Sequence, residues 1–391
     1  MKAGWQKKKL GQVCELINGR AYRKPELLSE GKYRVLRVGN FFTNENWYYS
    51  DLELEDNKYC DHGDLLYAWS ASFGPRIWAG EKVIFHYHIW KVKHDLEQID
   101  QRFLFYFFEW DKELLKLEKG AGTTMIHVSK GSMEERDILV PPLPEQQRIV
   151  AILDEAFEAI AAARANAEQN RQNARALFES YLQSVFSQRG EGWVETTVAA
   201  ATGGVFTGPF GSLLHKSDYI ENGIPLVNPA HITNVGIEPD LRKTVSEATA
   251  QRLSSYIMRT GDIVIGRRGE MGRCAIVTDI ENGWLCGTGS FVIKPSDRCD
   301  ARYLVRLLRS ESCKSQLEEI AGSAVMPNLS NTDLGNFPIL LPPIDMQKAI
   351  LEEIDALHDE TQHLESLYQR KIAALDELKQ SLLQQAFSGQ L

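Results

Sequence analysis

The sequence predicts a protein of mixed α/β (α+β) class, in which two related globular domains alternate with two long, coiled-coil-like helices. Three observations predict this plan. The stretch LVPPLPEQQRIVAILDEAF at residues 139–157 returns as LLPPIDMQKAILEEIDALH at residues 340–358. The match keeps a constant offset of 201, without insertion, for about 49 residues. Weaker matches join the sequences that precede the two stretches, so the chain is a tandem repeat.

A Pro-Pro pair opens each repeated stretch, at residues 141–142 and 342–343. Proline ends the preceding element and favours the first turn of a helix, and Asp345 is a candidate cap for the second copy. Apolar residues then recur at steps of three and four, which predicts helices with a coiled-coil-like seam. The seam residues are Ile149, Leu153, Phe157, Ile160, Leu177 and Tyr181 in the first copy and Ile350, Ile354, Leu357, Leu364, Tyr368, Ile372, Leu375, Leu378 and Leu382 in the second.

Each helix is expected to run for about 43 residues, or roughly 65 Å. Two independent helices, each packed on its own domain, are the alternative. Two helices packed against each other are favoured, because a domain of this size is too small to cover such a length. The predicted boundaries are a globular domain at 1–143, a helix at 144–188, a second globular domain at 189–343 and a second helix at 344–391.

The globular blocks share their order of features. Both begin near Gly-Trp, at residues 4–5 and 192–193, and both contain an extended apolar piece, RVLRVGNF at 34–41 and IPLVNPAHI at 224–232. Both then have Gly-Asp before a predicted strand, at residues 63–64 and 261–262. We therefore predict mixed α/β domains with several short strands, whose order the sequence does not reveal.

Composition sets limits on the class of protein. There is no apolar run of transmembrane length and no signal-like segment, and the six cysteines form no CxxC pair, so a reduced, cytoplasmic protein is expected. The net charge of −9 argues against nucleic-acid binding by the chain as a whole. However, the excess negative charge lies mainly around the repeated stretches, where residues 342–391 hold 4 basic and 9 acidic residues. Residues 1–140 hold 21 of each sign, so a domain can still carry a local basic face.

Two diverged domains on rigid spacers suggest a reader of two sites, and on DNA these would be half-sites separated by unread base pairs. The stretches LPPLPEQQRIVAILDE, LPPIDMQKAILEEID and LKQSLLQQAFSGQL resemble the helical regions of the specificity subunit of type I restriction–modification systems. GPFGSLLHKSDYIENGIPLVNPAHI at residues 208–232 and the Gly-Asp strand segments resemble that family's target recognition domains. The resemblance covers essentially the whole chain.

The resemblance implies an antiparallel pair of long helices and a bipartite, gapped, asymmetric DNA target. It also implies that two methyltransferase subunits bind the chain and that restriction subunits join through the complex. The first copy has Pro144-Glu145-Gln146-Gln147 where the second has Asp345-Met346-Gln347-Lys348. This difference is expected to make the two helix starts bind their partners unequally. The predicted partner-binding residues of the helices are Gln146, Ile149, Leu153, Gln347, Ile350 and Ile354.

Signatures of catalysis are lacking in the sequence. There is no GxxxxGK[ST] phosphate loop, and VPPLP lacks the acid or amide and the aromatic residue of an amino-methyltransferase motif. CGTGSFVI at residues 286–293 offers a GxG, but a strand is predicted after it rather than the helix of a cofactor turn. Cys60, His62, His86 and His88 have no tight metal-ligand spacing. We therefore predict a non-catalytic reader without cofactor or metal. The resemblance implies that its partners supply adenine methylation, DNA cleavage and ATPase activity.

Candidate DNA contacts are side chains that suit base edges or phosphates and lie in glycine-rich or polar loops. In the second domain they are Phe210, Ser212, His215 and Lys216, then Arg267, Arg268 and Arg273, and finally Ser323, Asn328, Ser330 and Asn331. In the first domain they are Arg20, Arg23 and Lys24, then Trp69, Ser70, Ser72 and Arg76, and finally Thr123, Thr124, His127 and Lys130.

Two other functions fit the same sequence. One is a coiled-coil structural adaptor whose domains bind proteins, which the acidic balance favours slightly. The other is the specificity subunit of a related system in which one partner both methylates and cleaves. The glycine-arginine turn at residues 266–273 and the doubled plan favour DNA recognition.

Overall fold

A computed structural model of the chain describes residues 4–70, 73–118, 127–322 and 328–391. The chain divides into two compact units, Met1–Gln169 with Tyr368–Leu391 and Asn170–Leu367. Each unit holds one globular domain and part of both long helices. In the part of the chain that is described, no helix is both long enough and apolar enough to cross a bilayer.

The first domain is built mainly from short strands. These are β1 (Gln6–Lys9), β2 (Cys14–Asn18), β3 (Tyr33–Leu36), β4 (Tyr48–Ser50), β5 (Tyr59–Cys60), β6 (Leu65–Ala68), β7 (Gly74–Ile77), β8 (Val83–Phe85), β9 (Ile89–His94) and β10 (Asp137–Val140). Its helices are α1 (Val38–Phe41), α2 (Gln101–Glu118) and α3 (Lys130–Glu134), and the long helix α4 (Leu143–Ser187) follows.

Three sheets organise these strands. One is antiparallel throughout, in the order β2-β9-β6-β7, and the second has the order β4-β3-β8-β5 with a parallel pair at β3 and β8. β1 pairs with β10 and so joins the two ends of the domain. Helix α2 buries Phe103, Phe107 and Phe108, and this apolar face packs in one cluster with Tyr67 and Trp90 of the first sheet.

The second domain repeats this architecture. Its strands are β11 (Val194–Thr197), β12 (Val205–Thr207), β13 (Tyr219–Ile220), β14 (Ile224–Val227), β15 (Thr244–Val245), β16 (Ile263–Gly266), β17 (Cys274–Ile276), β18 (Leu285–Cys286), β19 (Ser290–Ile293) and β20 (Pro338–Leu341). Its helices are α5 (Val198–Ala201), α6 (Glu247–Arg252), α7 (Ala301–Arg309), α8 (Glu311–Ala321) and α9 (Asn331–Gly335), and the second long helix α10 (Ile344–Ser388) closes the chain.

The sheet orders of the second domain show the same plan. One sheet is antiparallel in the order β12-β19-β16-β17, and the other has the order β13-β15-β14-β18 with a parallel pair at β14 and β18. β11 pairs with β20, as β1 does with β10. Thus the predicted relation between the two globular blocks is confirmed by their strand pairing. The sequence matches alone could not reveal this strand order.

The two Gly-Asp motifs are confirmed as strand starts, with β6 and β16 beginning two residues after each glycine. Gly63 and Gly261 both have positive φ, at 90° and 92°, a conformation that glycine adopts without strain. The aspartate after each glycine forms an ion pair with a lysine. Lys91 Nζ lies 2.6 Å from Asp64 Oδ2, and Lys294 Nζ lies 2.5 Å from Asp262 Oδ2.

The long helices confirm the predicted register. Both contain 45 residues, and both their first and last residues are 201 positions apart. Asp345 lies in the first turn of α10, which begins at Ile344, so the prediction that it caps the helix was wrong.

The two long helices run antiparallel within each unit. In the first unit Arg164 lies 3.6 Å from Asp376, and in the second Arg175 donates two hydrogen bonds to the Glu365 carboxylate.

The predicted seam is correct near the helix ends and wrong at one repeated position. Ile149, Leu153 and Ile354 are buried, but Leu177 and Leu378 are 65% and 47% exposed. In the first copy the inward positions of the alanine-rich stretch are Ala167 and Ala174, followed by Phe178. Thr361, where the second copy shows a gap of seven in its apolar spacing, is buried and donates its hydroxyl to the Leu357 carbonyl.

Candidate nucleic-acid interface

Three backbone segments meet where β6 ends in the first domain. The Trp69 amide donates to the His88 carbonyl at 3.0 Å, and the Val128 amide donates to the Trp69 carbonyl at 3.2 Å. Ser70 and His127 pair as an antiparallel bridge. Two segments that the sequence predicted separately are thereby brought together at residues 69–70 and 127–128, and the turn at 86–88 joins them.

Aromatic rings dominate this surface. The half-buried Trp69 ring stacks on Trp90 at 5.8 Å and lies 4.8 Å from His88 and 5.9 Å from His127. Its indole N–H donates to the Tyr87 carbonyl at 2.8 Å. The indole is therefore held rigidly at the edge of the core, and Ser70 beside it is buried.

Equivalent segments meet at the end of β16 in the second domain. The Arg267 amide donates to the Gly289 carbonyl at 2.9 Å, and the Leu329 amide donates to the Arg267 carbonyl at 2.9 Å. Arg268 and Asn328 form the antiparallel bridge that corresponds to Ser70 and His127. The backbone geometry is thus duplicated hydrogen bond by hydrogen bond, while the side chains differ.

Two guanidinium groups dominate this second surface. The Nε atoms of Arg267 and Arg268 both donate to Asn328 Oδ1, at 3.1 and 3.2 Å. Arg267 also lies over the Phe291 ring, and burial together with the charge of Arg268 lowers its pKa. Across the described ranges neither group pairs with a carboxylate, so this surface carries positive charge. Arg273 instead pairs with Glu270 and donates to the Pro229 carbonyl.

A glycine brings a further segment against each turn. A Cβ on Gly19 would lie 2.2 Å from the Phe85 carbonyl oxygen, and one on Gly208 would lie 2.0 Å from that of Gly287. Only glycine permits such an approach. The following residues therefore lie beside the turns, with Phe210 57% exposed in the second domain.

The remaining candidates of these segments differ in whether their side chains are already bonded within the domain. Arg20 donates two hydrogen bonds to Glu26 and lowers the pKa of that carboxyl to about 2, so its charge is balanced. Arg76 lies on β7, donates to the Phe41 carbonyl and covers the Trp78 ring, which gives it a structural role. The exposed candidates here are Arg23, Lys24, Ser212, His215 and Lys216.

The last candidates lie at short helices that follow each converging loop. Lys130 opens α3 and lies 3.5 Å from Glu134. Ser330 caps α9 by accepting the Asp333 amide, and the exposed Asn331 follows it. Ser72, Thr123, Thr124 and Ser323 lie outside the described residues.

Five of the six predicted partner-binding side chains pack against their own domains, and Ile354 packs against the other long helix within the second unit. Gln146 accepts the Asp100 amide at 2.7 Å and donates to the Pro141 and Gln98 carbonyls. Gln347 repeats these bonds with the Asp300 amide and the Pro342 and Arg298 carbonyls. The other four, Ile149, Leu153, Ile350 and Ile354, are buried or half-buried in apolar clusters. Five of these contacts join a helix to its domain and that of Ile354 joins the two helices, so none of the six side chains is exposed.

Sequence reasoning missed Arg37 and the turn residues His86 and His88. Burial, the charge of His88 and that of Arg37 lower the pKa of His86 to about 4. Burial, with His127 and Arg37, also lowers the pKa of His88. RVLRVGNF predicts an extended apolar piece, and His86 and His88 were weighed only as metal ligands, so none of the three stood out as a DNA contact.

Comparison with known proteins identifies the architecture. The model of the type I restriction modification DNA specificity domain matches residues 2–169 and again residues 203–373. The chain belongs to this family. It is a type I restriction–modification DNA specificity subunit with two target recognition domains, which confirms the resemblance seen in the sequence.

Related proteins agree with this assignment. The type I restriction enzyme MjaVIII specificity subunit of Methanocaldococcus jannaschii is 26% identical over 317 residues, covering 76% of this chain and 72% of the relative. The EcoBI specificity subunit of Escherichia coli is 21% identical over 412 residues, covering 99% and 86%. These relatives are specificity subunits, which are non-catalytic.

Solved structures show the same fold. A chain from a study of complex assembly and conformational transition of the type I R-M system has a TM-score of 0.76 at 19% identity, covering 100% of this chain and 99% of that one. The HsdS subunit from Thermoanaerobacter tengcongensis has a TM-score of 0.66 at 20% identity, covering 100% and 98%.

Proposed function

We propose that each recognition domain reads one half of a bipartite DNA sequence and that the long helices set the unread gap between the halves. The domains are assigned to residues 1–143 and 189–343, and the helices to 144–188 and 344–391. Two methyltransferase subunits bind the helices and supply adenine methylation. Restriction subunits, with endonuclease and ATPase activity, join through the complex, and the chain needs no cofactor of its own.

The observation that carries this proposal is the duplicated meeting of loops at the ends of β6 and β16. The same backbone hydrogen bonds hold both sets of loops, so both domains can present side chains to DNA in the same way. Arg267, Arg268 and Asn328 suit guanine and adenine edges, whereas Trp69 and His127 offer apolar and imidazole surface. Two surfaces of one geometry and different chemistry suit a target with two different halves.

A repeated exposed face supports the binding of two copies of one partner. Leu177, Ser180, Gln183 and Ser187 recur as Leu378, Ser381, Gln384 and Ser388, and all eight are exposed. Steps of three, three and four place each set on one side of its helix. Gln384 also accepts the Trp110 indole N–H at 2.9 Å, but packing gives no reason for the other exposed residues to be identical in both copies. Binding of the same methyltransferase surface at both places provides one.

One experiment tests the proposal. The chain is co-expressed with its methyltransferase, methylated adenines are mapped across the host genome, and the purified complex is weighed by native mass spectrometry. We expect a motif of two specified parts separated by a fixed unread gap, and two methyltransferase chains for each specificity chain. A single continuous motif would contradict the two-reader assignment, and a one-to-one ratio would contradict the role given to the repeated face.

A further inference from the structure

A cavity of about 290 Å³ opens beside the converging loops of the first domain. Arg37 lies on its wall at the end of β3, and Asn40, Tyr48, His86 and His88 are among its other lining residues. Because the His88 ring also contacts Trp69, the cavity is continuous with the candidate DNA surface.

The Arg37 guanidinium is held in this cavity without a balancing charge. Its side chain is half-buried and lies 5.2 Å from the centre of the Tyr48 ring. In the described part of the chain it makes no ion pair or side-chain hydrogen bond, whereas Arg20, Arg34, Arg102 and Arg136 of the same unit all pair with carboxylates. A guanidinium that has no carboxylate partner within the domain is available to an external acceptor.

Two other lining residues, Asn40 and His86, have their acceptor atoms occupied by backbone amides. The side-chain amide of Asn40 is used within the domain. Its Oδ1 accepts the Arg37 backbone N–H, and its Nδ2 donates to the Val35 carbonyl. His86 Nδ1 accepts the His88 amide at 3.4 Å, which places the proton of the neutral ring on Nε2. None of the described residues that line the cavity carries a carboxylate. A ligand that fits it must therefore supply acceptors.

The second domain closes the equivalent place. Asn228 occupies the position of Arg37, because the Gly287 amide donates to the Val227 carbonyl as the His86 amide does to that of Leu36. Gly287 and Gly289 replace the two histidines, and a Cβ there would meet Asn228 Oδ1 at 2.4 Å and Pro229 Cδ at 2.8 Å. The open cavity with its arginine is thus a feature that distinguishes the first domain.

We propose that Arg37 is a specificity-determining residue of the first domain and that it reads the O6 and N7 acceptors of a guanine in that domain's half-site. This inference rests on the proposed function of the domain. A guanidinium pre-oriented against an aromatic ring presents two parallel donors in a plane, which matches the guanine edge in the major groove. A phosphate could accept the same pair of hydrogen bonds, so the experiment separates a guanine contact from a phosphate contact.

The test measures coupling between Arg37 and individual guanines. Complexes of the full chain with its methyltransferase bind duplexes carrying the mapped target, in which each guanine in turn is replaced by 7-deazaguanine, which lacks N7. We expect one guanine at which this replacement weakens wild-type binding about tenfold, whereas the Arg37→Ala complex, already weaker, loses nothing more. Arg37→Lys keeps the charge but should also lose the coupling.

Arg34→Ala is the matched control, because Arg34 lies on the same strand against the Trp47 ring but pairs with Glu81. It should respond to each replaced guanine as wild type does. Absence of coupling between Arg37 and every guanine overturns the inference. So does an equal loss by Arg37→Ala on all duplexes, non-specific ones included, since that identifies a phosphate contact. If the wild-type complex shows no preference for a gapped two-part target, the proposed function has failed instead.

Discussion

The two candidate surfaces differ in side chains but agree in backbone. In the first domain Trp69, His88 and His127 form a rigid aromatic and imidazole surface. In the second, Arg267, Arg268 and Asn328 form a charged and amide surface on equivalent backbone. The comparison shows that main-chain hydrogen bonds hold these loops in place, so their side chains are free to differ. Recognition can therefore change while the fold stays constant.

The junction between domain and helix shows the opposite behaviour. Gln146 and Gln347 make the same three hydrogen bonds with backbone groups, and both are fully buried. A change here affects the scaffold rather than the reading surface. The contrast between junction and surface can be tested directly.

The largest effect is expected at the junction. Gln146→Leu and Gln347→Leu each leave one amide and two carbonyl groups without their partner, which should destabilise the affected domain by about 3 kcal/mol. Because the bonds are duplicated, the two losses should be similar. Urea denaturation, with exposed Gln147→Leu as control, measures both. A loss at only one junction would mean that the duplicated bonds differ in energetic value.

A smaller effect is expected at the second surface. Arg267→Ala with Arg268→Ala removes both unbalanced guanidinium groups and should weaken binding to the specific duplex by about 10- to 100-fold in a gel-shift with the methyltransferase. Arg242→Ala removes an exposed arginine that pairs with Asp240 in the same domain, and should change binding little. Unaltered affinity and unaltered sequence choice in the double variant would remove these arginines from the interface.

The smallest effect is expected on the pH dependence of the unfolding free energy, and only the first domain should show it. The folded-state pKa of His86, about 4, lies below the unfolded value of about 6.5, so the folded domain favours the neutral ring. The stability this contributes is present above pH 6.5 and is lost as pH falls towards 4. His86→Gln should therefore lessen the loss of unfolding free energy between pH 7 and pH 5 by about 1 kcal/mol, after allowing for solvent screening.

His62→Gln, at an exposed position, is the control for this pH experiment. Identical pH profiles for wild type and His86→Gln would contradict the buried, neutral state assigned to the ring. The second domain has Gly287 at the equivalent position, so its stability should show no corresponding dependence on pH.

The sequence predicted the scaffold better than the site. The constant offset predicted both long helices and their equal length, because a rigid rod tolerates no insertion. The apolar spacing assigned Leu177 and Leu378 to the seam wrongly. Steps of three and four also fit the neighbouring face of a helix, and in the first copy alanines occupy the inward positions before Phe178. The converging loops were predicted individually from glycines and polar residues. Their meeting depends on long-range backbone pairing, which no local pattern encodes. Arg37 was missed because it lies in a stretch that the sequence predicts as an extended apolar piece.

The central claim is that the two domains read separately through different side chains on one scaffold. Methylated-adenine maps of strains carrying wild type, Arg37→Ala or the Arg267→Ala, Arg268→Ala double variant test this claim most directly. We predict that Arg37→Ala relaxes one half of the gapped motif, that the double variant relaxes only the other half, and that the gap is unchanged in both. Relaxation of the same half by both variants, or of both halves by either one, would contradict it.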